Sequence, residues 1–243
     1  MEQMRLNKYL AHCGICSRRD ADKLIASGKV LINGRVAQPG CQCMEEDEVM
    51  VCGSQIEGIN KTVVLAFYKP VGVTCTERDV HAEKIIADFV KYPVRLTYAG
   101  RLDKDSEGLL LLTNDGNLIQ EMMRGKNRHE KEYLVRVDKE VTLDFLKKMS
   151  QGIYLEELGV VTEKCRAEKA GKYTFRLILT QGLNRQIKRM CMACGYRVRN
   201  LKRIRVMHIG LGDMKPGEYY ELSEADVRRL YRDCGISHQG KKA

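Results

Sequence analysis

Short apolar runs bounded by turn residues divide this chain into predicted elements. The clearest run is the four leucines at 109–112, which the turn residues Asn114, Asp115 and Gly116 follow closely. A short run of this kind predicts a buried strand. Residues 63–68 are β-branched, aromatic and otherwise apolar, and they predict a second strand.

Strict alternation of apolar and polar positions marks the later strands. It is clear at 133–137 and again at 173–180, which pairs with 160–167 around a turn at Ala170 and Gly171. Alternation of period two is typical of antiparallel sheet rather than of repeated strand–helix–strand units. Apolar residues at helical spacing predict helices at 82–90, 118–123, 141–149 and 224–231.

The first sixty residues read as a separate small module. Leu6, Tyr9, Leu10 and Cys13 have helical spacing, and a second helix is expected after the capping residue Ser17. A strand at 30–32 then enters the Asn33–Gly34 turn, and 49–56 supplies a last strand. We therefore place domains at 1–58 and 61–236, joined by a linker at 58–61, with a disordered tail at 237–243.

Charge adds information about the partner. The chain of 243 residues has 42 Lys and Arg against 32 Asp and Glu, for a formal net charge of +10. Such a balance favours a polyanion as partner, most simply nucleic acid, although a basic protein with no such partner is the plain alternative. No apolar run of membrane-spanning length and no secretory leader is visible, so a cytoplasmic protein is expected.

Ten cysteines raise the question of metal binding, since two C-x-x-C pairs are present. Cys13 and Cys16 lie about 175 residues from Cys191 and Cys194, and each pair falls in a segment expected to be helical. Reduced thiols packed in or near the core are therefore favoured over a zinc site. We expect neither metal nor cofactor.

Basic residues concentrate in two stretches. Between residues 5 and 35 there are seven bases against two acids, and these bases are Arg5, Lys8, Arg18, Arg19, Lys23, Lys29 and Arg35. Between 181 and 205 there is no acid, and the eight bases are Arg185, Lys188, Arg189, Arg197, Arg199, Lys202, Arg203 and Arg205. Uncompensated cations repel one another, so phosphates are expected to face the second stretch, with Arg197 to Arg205 on the same side of the molecule as Asp103. For the first stretch, a solvated helix face is the plain alternative to RNA binding.

The segment before the leucine run offers candidate chemistry. Asp103 lies in a charged loop next to a core strand, which is a rigid way to hold a reactive group. The flanking Arg101 and Lys104 favour an ionised Asp103, and an ionised carboxylate can serve as nucleophile or base. An isolated aspartate of this kind would more simply be a turn residue.

The complete string at 100–116, G-R-L-D-x-D-S-E-G-L-L-L-L-T-N-D-G, resembles the active-site motif of pseudouridine synthases. It is most similar to the branch that modifies ribosomal RNA and carries an N-terminal S4 domain. Residues 5–10 and 17–34 resemble that S4 RNA-binding domain, including Asn33. K-P-x-G-V at 69–73, K-E-Y-L-V at 131–135 and N-R-Q-I-K-R-M at 184–190 resemble further motifs of the family.

The resemblance implies an α+β fold, in which an S4 domain precedes a catalytic domain with a large mixed, mainly antiparallel sheet. It implies isomerisation of a uridine in ribosomal RNA by a monomer, with no cofactor. Asp103 would act on the sugar or the base, Tyr133 would stack on the extruded base, and Arg101 would fill the space it leaves. A basic residue of the 184–190 motif would pair with Asp103.

Several points stay open from sequence. Spacing favours Lys188 as the partner of Asp103, with Arg185 and Arg189 as alternatives, and the family pattern has arginine at the Lys188 position. The 125–133 run resembles the branch that modifies large-subunit RNA, although small-subunit or transfer RNA is an alternative substrate. A non-catalytic RNA-binding protein is the competing hypothesis, and an S4-bearing tRNA synthetase would need an ATP-binding signature that we do not find.

Overall fold

The computed structural model describes residues 3–44, 46–56, 58, 61–76 and 82–237. Most of the predicted linker and tail, at 59–60 and 238–243, lies outside these ranges. Across the ranges described, no helix combines the length and the apolar character needed to cross a membrane.

The N-terminal domain is built from two short helices packed on small antiparallel sheets. Its elements are β1 (Met4–Arg5), α1 (Leu6–His12), α2 (Arg18–Ala26), β2 (Val30–Ile32), β3 (Arg35–Val36), β4 (Gln42–Cys43), β5 (Val49–Val51) and β6 (Ser54–Gln55). Ser17 caps α2, since its side chain accepts a hydrogen bond from the Asp20 backbone N–H. Leu6, Leu10 and Ala21 are fully buried between the helices and the sheet, which confirms the small module.

The C-terminal domain begins at β7 and alternates strands with four helices. Its elements are β7 (Val64–Lys69), β8 (Thr97–Ala99), β9 (Glu107–Thr113), α3 (Gly116–Met123), β10 (Lys131–Val137), α4 (Leu143–Gln151), β11 (Tyr154–Leu155), β12 (Val160–Val161), β13 (Arg166–Gly171), β14 (Thr174–Leu179), α5 (Gln186–Ala193), β15 (Val198–Val206), β16 (Ile209–Gly210), β17 (Tyr219–Glu221) and α6 (Glu224–Asp233).

Nine of these strands form one mixed sheet. The order is β13-β14-β10-β15-β9-β7-β17, with β16 paired to β15 and β8 paired to β9. All pairings are antiparallel except the short contact between β15 and β9. The predicted fold class is therefore confirmed.

Both faces of the central strands are covered, which explains why the leucine run is continuous rather than alternating. Leu109 and Leu111 pack with helices α3 and α6 on one face. Leu110 and Leu112 pack with Phe67 on the other face. On that second face, helices α4 and α5 cover strands β10, β14 and β15. The active-site motif thus ends in a strand that is buried on both sides.

One predicted helix is wrong. Residues 82–90 contain only a single 3-10 turn, Ile86–Asp88. The backbone before it is extended, because Ile85 forms a parallel bridge with Thr74 and Lys84 accepts a hydrogen bond from the Thr74 N–H. Pairing with the segment at Thr74 has overridden the local helical pattern. Likewise, the strand expected at 160–167 is divided into β12 and the start of β13.

Gly108 lies where strand β9 pairs with strand β15, and its backbone approaches that of Arg203 very closely. Its φ is +108°, and a Cβ placed there would lie 2.2 Å from the Arg203 carbonyl oxygen. We expect Gly108→Ala to destabilise the protein by at least about 2 kcal/mol, because neither backbone can move without breaking the sheet. Chemical denaturation measures this.

The matched control is Gly116→Ala at the start of α3, where a Cβ would meet nothing within 4 Å. It should be neutral or stabilising by up to about 1 kcal/mol. Equal effects of the two substitutions would contradict the close approach at Gly108.

Candidate active site

The loop between β8 and β9 holds Asp103 beside the sheet. Leu102 is buried in the core beneath it, and Ser106, 1% exposed, donates its backbone N–H to the Asp103 carbonyl at 3.0 Å. These anchors on both sides fix the backbone of Asp103. Its side chain stays about one-third exposed and can meet a substrate.

Lys188 provides the cation that faces this carboxylate. Its Nζ lies 3.0 Å from Asp103 Oδ2 and also forms a short ion pair with Asp105. The Lys188 side chain is only 12% exposed, so both contacts form in a partly desolvated site. Arg185 adds a second cation, with Nη1 at 3.8 Å from Asp103 Oδ2.

The start of helix α5 sets the direction of these cations. Arg185 adopts a left-handed backbone (φ +50°) immediately before the helix. Gln186 is buried, and its side-chain oxygen accepts a hydrogen bond from the Leu183 N–H at 3.0 Å. Ile187 packs into the core. With the two preceding side chains fixed inside, Lys188 is directed across to the Asp103 loop.

Arg189, the third candidate partner, points elsewhere. It forms an ion pair with Glu157 and donates from Nε to the Asn184 carbonyl at 3.0 Å. Among the described residues it makes no contact with Asp103. Of the three bases left open by the sequence, the geometry brings Lys188 and Arg185 to the carboxylate.

A cleft of about 100 Å³ opens next to Asp103. Tyr133 lies half-buried in its wall, between the core under α4 and α5 and the core that contains Leu102. The exposed Arg101 also lines it, and so do Leu179, Gln181, Leu183, Gln186, Ile187 and Leu201. The structure thus brings Asp103, Tyr133, Arg101 and Arg185 to one cleft with apolar walls and charged groups at one end. Lys188 is not part of the cleft lining and contacts Asp103 from outside it.

The Lys-Pro segment after β7 supports the Asp103 loop from behind. Lys69 is fully buried, and its Nζ donates to the carbonyls of Pro70 and Val73 at 2.8 Å. Burial lowers the pKa of Lys69 to about 8. Gly72 donates its N–H to the Lys104 carbonyl at 2.7 Å, so this turn contacts the loop directly. Lys69 is not among the residues that line the cleft, and its hydrogen bonds go to backbone carbonyls.

The structure corrects the prediction that the bases from Arg197 to Arg205, called the RNA track below, all face RNA on the side of Asp103. Arg203 is 2% exposed, and its Nε donates to the Leu109 carbonyl at 2.7 Å inside the sheet. The prediction that Arg203 contacts RNA is therefore wrong. An inward strand position held by a neighbouring carbonyl explains its burial.

Lys202 and Arg205 lie on the sheet face opposite the cleft. Arg205 pairs across the strands with Glu132, the residue before Tyr133, and successive residues of a strand point to opposite faces. Lys202 lies 4.8 Å from the ring centre of Tyr68, which packs on the α3 and α6 side. The prediction that these two bases share the cleft side is wrong.

The electrostatic argument behind that track also fails. Acids from other elements neutralise several of the eight bases: Arg205 pairs with Glu130 and Glu132, and Lys188 with two aspartates. Sequence counts charge along the chain, whereas the sheet brings in acids from distant strands. Arg197 and Arg199 are exposed and remain available to RNA.

Most bases of the N-terminal domain that are predicted to contact RNA are exposed to solvent. Arg5, Arg18, Arg19 and Arg35 are exposed, and Lys8 is partly so. Lys23 is exposed and forms only a surface ion pair with Asp20 at 3.2 Å. Asn33 instead holds its own turn, since its amide bonds the Asp47 side chain and the Glu48 backbone N–H. Its side chain already has partners within the domain.

Asp105 is the site residue that sequence reasoning did not assign. It lies two positions after Asp103 in the same turn, and that spacing was the available signal. Partial burial raises the pKa of its carboxyl, but the hydrogen bond and charge of Lys188, with Arg185, outweigh burial and hold that pKa below its usual value.

The two C-x-x-C pairs are the candidate metal ligands. Cys191 is buried, whereas Cys13, Cys16 and Cys194 are half-buried, and none of these four forms a disulfide. Within the described ranges, no three His, Cys, Asp or Glu side chains are grouped to hold a metal ion. The absence of bound zinc stays a prediction, which elemental analysis of the purified protein tests.

Comparison with known proteins adds independent support. Residues 63–193 match the model of a family described as RNA pseudouridylate synthase, and residues 4–49 match the S4 domain. A solved structure described as a pseudouridylate synthase superposes with a TM-score of 0.70 at 30% identity, covering 93% of this chain and 99% of that one.

Curated relatives match over nearly the whole chain. The dual-specificity RNA pseudouridine synthase RluF of Escherichia coli strain K12 is 45% identical over 231 residues, covering 94% of this chain and 79% of the relative. The ribosomal large subunit pseudouridine synthase B of Bacillus subtilis strain 168 is 36% identical, covering 98% and 99%.

Proposed function

This chain belongs to the RNA pseudouridylate synthase family, which isomerises uridine to pseudouridine, and we propose that its substrate is ribosomal RNA of the large subunit. The observation that supports the site is the Asp103–Lys188 contact at the end of a cleft lined by Tyr133. The resemblance of residues 125–133 to large-subunit enzymes and the name of the Bacillus relative support the substrate.

The reaction breaks the N1–C1′ bond of one uridine and forms a C5–C1′ bond, while C5 loses its proton and N1 takes one up. The reacting atoms are inaccessible inside a stacked helix, so the base must leave the stack first. The cleft beside Asp103 would receive it. Because the atoms are only rearranged, the equation needs no co-substrate.

Each side chain of the cleft has a defined task in this proposal. Asp103 acts in its ionised form, either as a nucleophile or as a base, and the adjacent Lys188 ammonium stabilises that charge. Tyr133 offers an aromatic face on which a base can stack. Arg101, exposed at the mouth, enters the gap that the base leaves in the RNA.

The N-terminal domain would supply affinity through phosphate contacts rather than chemistry. We propose that its exposed bases, together with Arg197 and Arg199 of the other domain, contact the RNA. We place the reaction in the cytoplasm and assign it to a monomer. Transfer RNA is the second substrate to examine, given the dual specificity named for the Escherichia relative.

Mapping pseudouridines tests the substrate directly. Total RNA from cells that lack this protein is compared with RNA from the same cells complemented by the wild type or by Asp103→Asn. We expect at least one position of large-subunit RNA to regain pseudouridine only with the wild type. Recovery confined to small-subunit or transfer RNA would overturn the proposed substrate.

The competing hypothesis of a non-catalytic RNA-binding protein makes a different prediction. Purified protein would then bind large-subunit RNA fragments without producing pseudouridine under any condition. The Asp103–Lys188 pair beside the open cleft favours the enzyme.

The salt dependence of RNA binding tests the N-terminal surface. We expect the triple change of Arg18, Arg19 and Lys23 to glutamine to weaken binding. It should also flatten the slope of log affinity against log salt by roughly one unit per lost phosphate contact, since fewer counterions are released. The maximal rate at saturating RNA should stay unchanged.

Three bases on helix α6 provide the matched control, because Arg228, Arg229 and Arg232 are equally exposed but lie on the other domain. Their replacement by glutamine removes the same charge. If both triple variants flatten the slope of log affinity against log salt equally, the N-terminal face has no specific part in binding.

A further inference from the structure

Asp105 and Asp103 share one ammonium. Lys188 Nζ contacts Asp103 Oδ2 at 3.0 Å and makes a still closer ion pair with Asp105 Oδ1. The Lys188 side chain is only 12% exposed, whereas the Asp105 side chain is 61% exposed. A mostly buried cation thus bridges two carboxylates of a single turn.

The charge of this site changes during the proposed reaction. If Asp103 attacks as a nucleophile, its carboxylate becomes an ester, and if it acts as a base it takes up a proton. Either route removes its negative charge. A buried Lys188 ammonium left without a counter-charge would then be strongly unfavourable.

We propose that Asp105 is a positioning residue that remains paired with Lys188 while Asp103 loses its charge to the substrate. The inference rests on the proposed role of Asp103. Asp105 would hold the ammonium in place through the step and return it to Asp103 afterwards. Because Asp105 acts through Lys188, it need not touch the RNA.

The charge of Asp105 therefore should matter only in the presence of Lys188. With Lys188 in place, Asp105→Asn is expected to slow the single-turnover rate at saturating protein roughly tenfold, a middle value for residues within one ion-pair network. RNA affinity should be unchanged. Asp105→Glu, which keeps the charge, should recover part of the rate.

In a Lys188→Met background, the loss of rate caused by Asp105→Asn should disappear or turn into a gain. The two carboxylates then face each other without a cation, so Asp105 opposes the ionised Asp103 rather than helping it. Adding Asp105→Asn to Lys188→Met should leave the rate equal or raise it. A purely structural role would give the same loss in both backgrounds.

The experiment measures single-turnover rates of pseudouridine formation for the full chain and these variants, with circular dichroism as a check of folding. Asp213→Asn is the control, since this exposed carboxylate forms no ion pair among the described residues. A loss of rate on Asp105→Asn that is present with Lys188 and absent or reversed with Lys188→Met supports the inference. Equal losses in both backgrounds, or no loss with Lys188 present, overturn it.

Failure of this inference is distinguishable from failure of the proposed chemistry. If Asp103→Asn keeps full activity, the role of Asp103 is wrong and the inference falls with it. If Asp103→Asn is inactive while Asp105→Asn matches the wild type, only the role of Asp105 is overturned.

Discussion

Asp103→Asn should lower the rate of pseudouridine formation by at least about 10²-fold, the lower range for loss of a catalytic acid–base group. The amide has the shape of the carboxylate but can serve neither as nucleophile nor as base at this site. Single-turnover assays on large-subunit RNA fragments measure the effect.

The fold and the RNA affinity should survive this substitution. Asp103 is about one-third exposed, and Lys188 keeps Asp105 as a partner when the Asp103 charge is removed. Thermal unfolding and RNA binding should stay close to the wild type. Loss of the fold would instead identify Asp103 as a structural turn residue, and turnover near the wild-type rate would exclude a catalytic role.

Lys188→Met should have the second-largest effect. The substitution removes the ammonium that lies between two carboxylates while keeping most of the apolar volume of a mostly buried side chain. Asp103 and Asp105 would then repel each other and move apart, so Asp103 would lose its position in the cleft. We expect the single-turnover rate to fall by about tenfold or more.

Two further variants test the reason for this loss. Lys104→Met removes a lysine of the same loop whose one ion pair among the described residues is with the exposed Glu83 at 3.5 Å, and it should have little effect. Lys188→Arg keeps the charge and should retain part of the activity, since the longer fork must fit the same space. Equal rates for Lys188→Met and wild type would show that the ion pair has no catalytic part.

The corrected RNA track changes where binding variants should be made. Arg203, Lys202 and Arg205 are held by a backbone carbonyl, by an aromatic ring and by two glutamates. Substituting them would perturb the sheet rather than report on RNA contacts. Arg197 and Arg199 are exposed and are the better choice.

The sequence by itself determined the elements whose signals are local. The leucine run at 109–112, the alternation at 133–137 and the Ser17 cap each depend on neighbouring residues, and each is present in the structure. The long motif around Asp103 identified the family for the same reason, because its residues are consecutive.

The tertiary structure decided everything that depends on distant partners. Lys188 meets Asp103 and Asp105 across more than eighty residues of chain, and only the geometry of α5 separates it from Arg189. The pairing of Ile85 with Thr74 removed a predicted helix in the same way.

Tertiary contacts also decided which charged side chains are buried and which are neutralised by a partner. The sequence shows eight cations between residues 181 and 205, but Glu130, Glu132 and Glu157 come from other segments to meet them. A strand position such as Arg203 looks solvent-facing by residue type, yet its side chain is buried and donates to the Leu109 carbonyl of the neighbouring strand. Contacts between segments far apart in the chain fix which charges remain free, because Coulomb interactions depend on distance in space and not on separation in sequence.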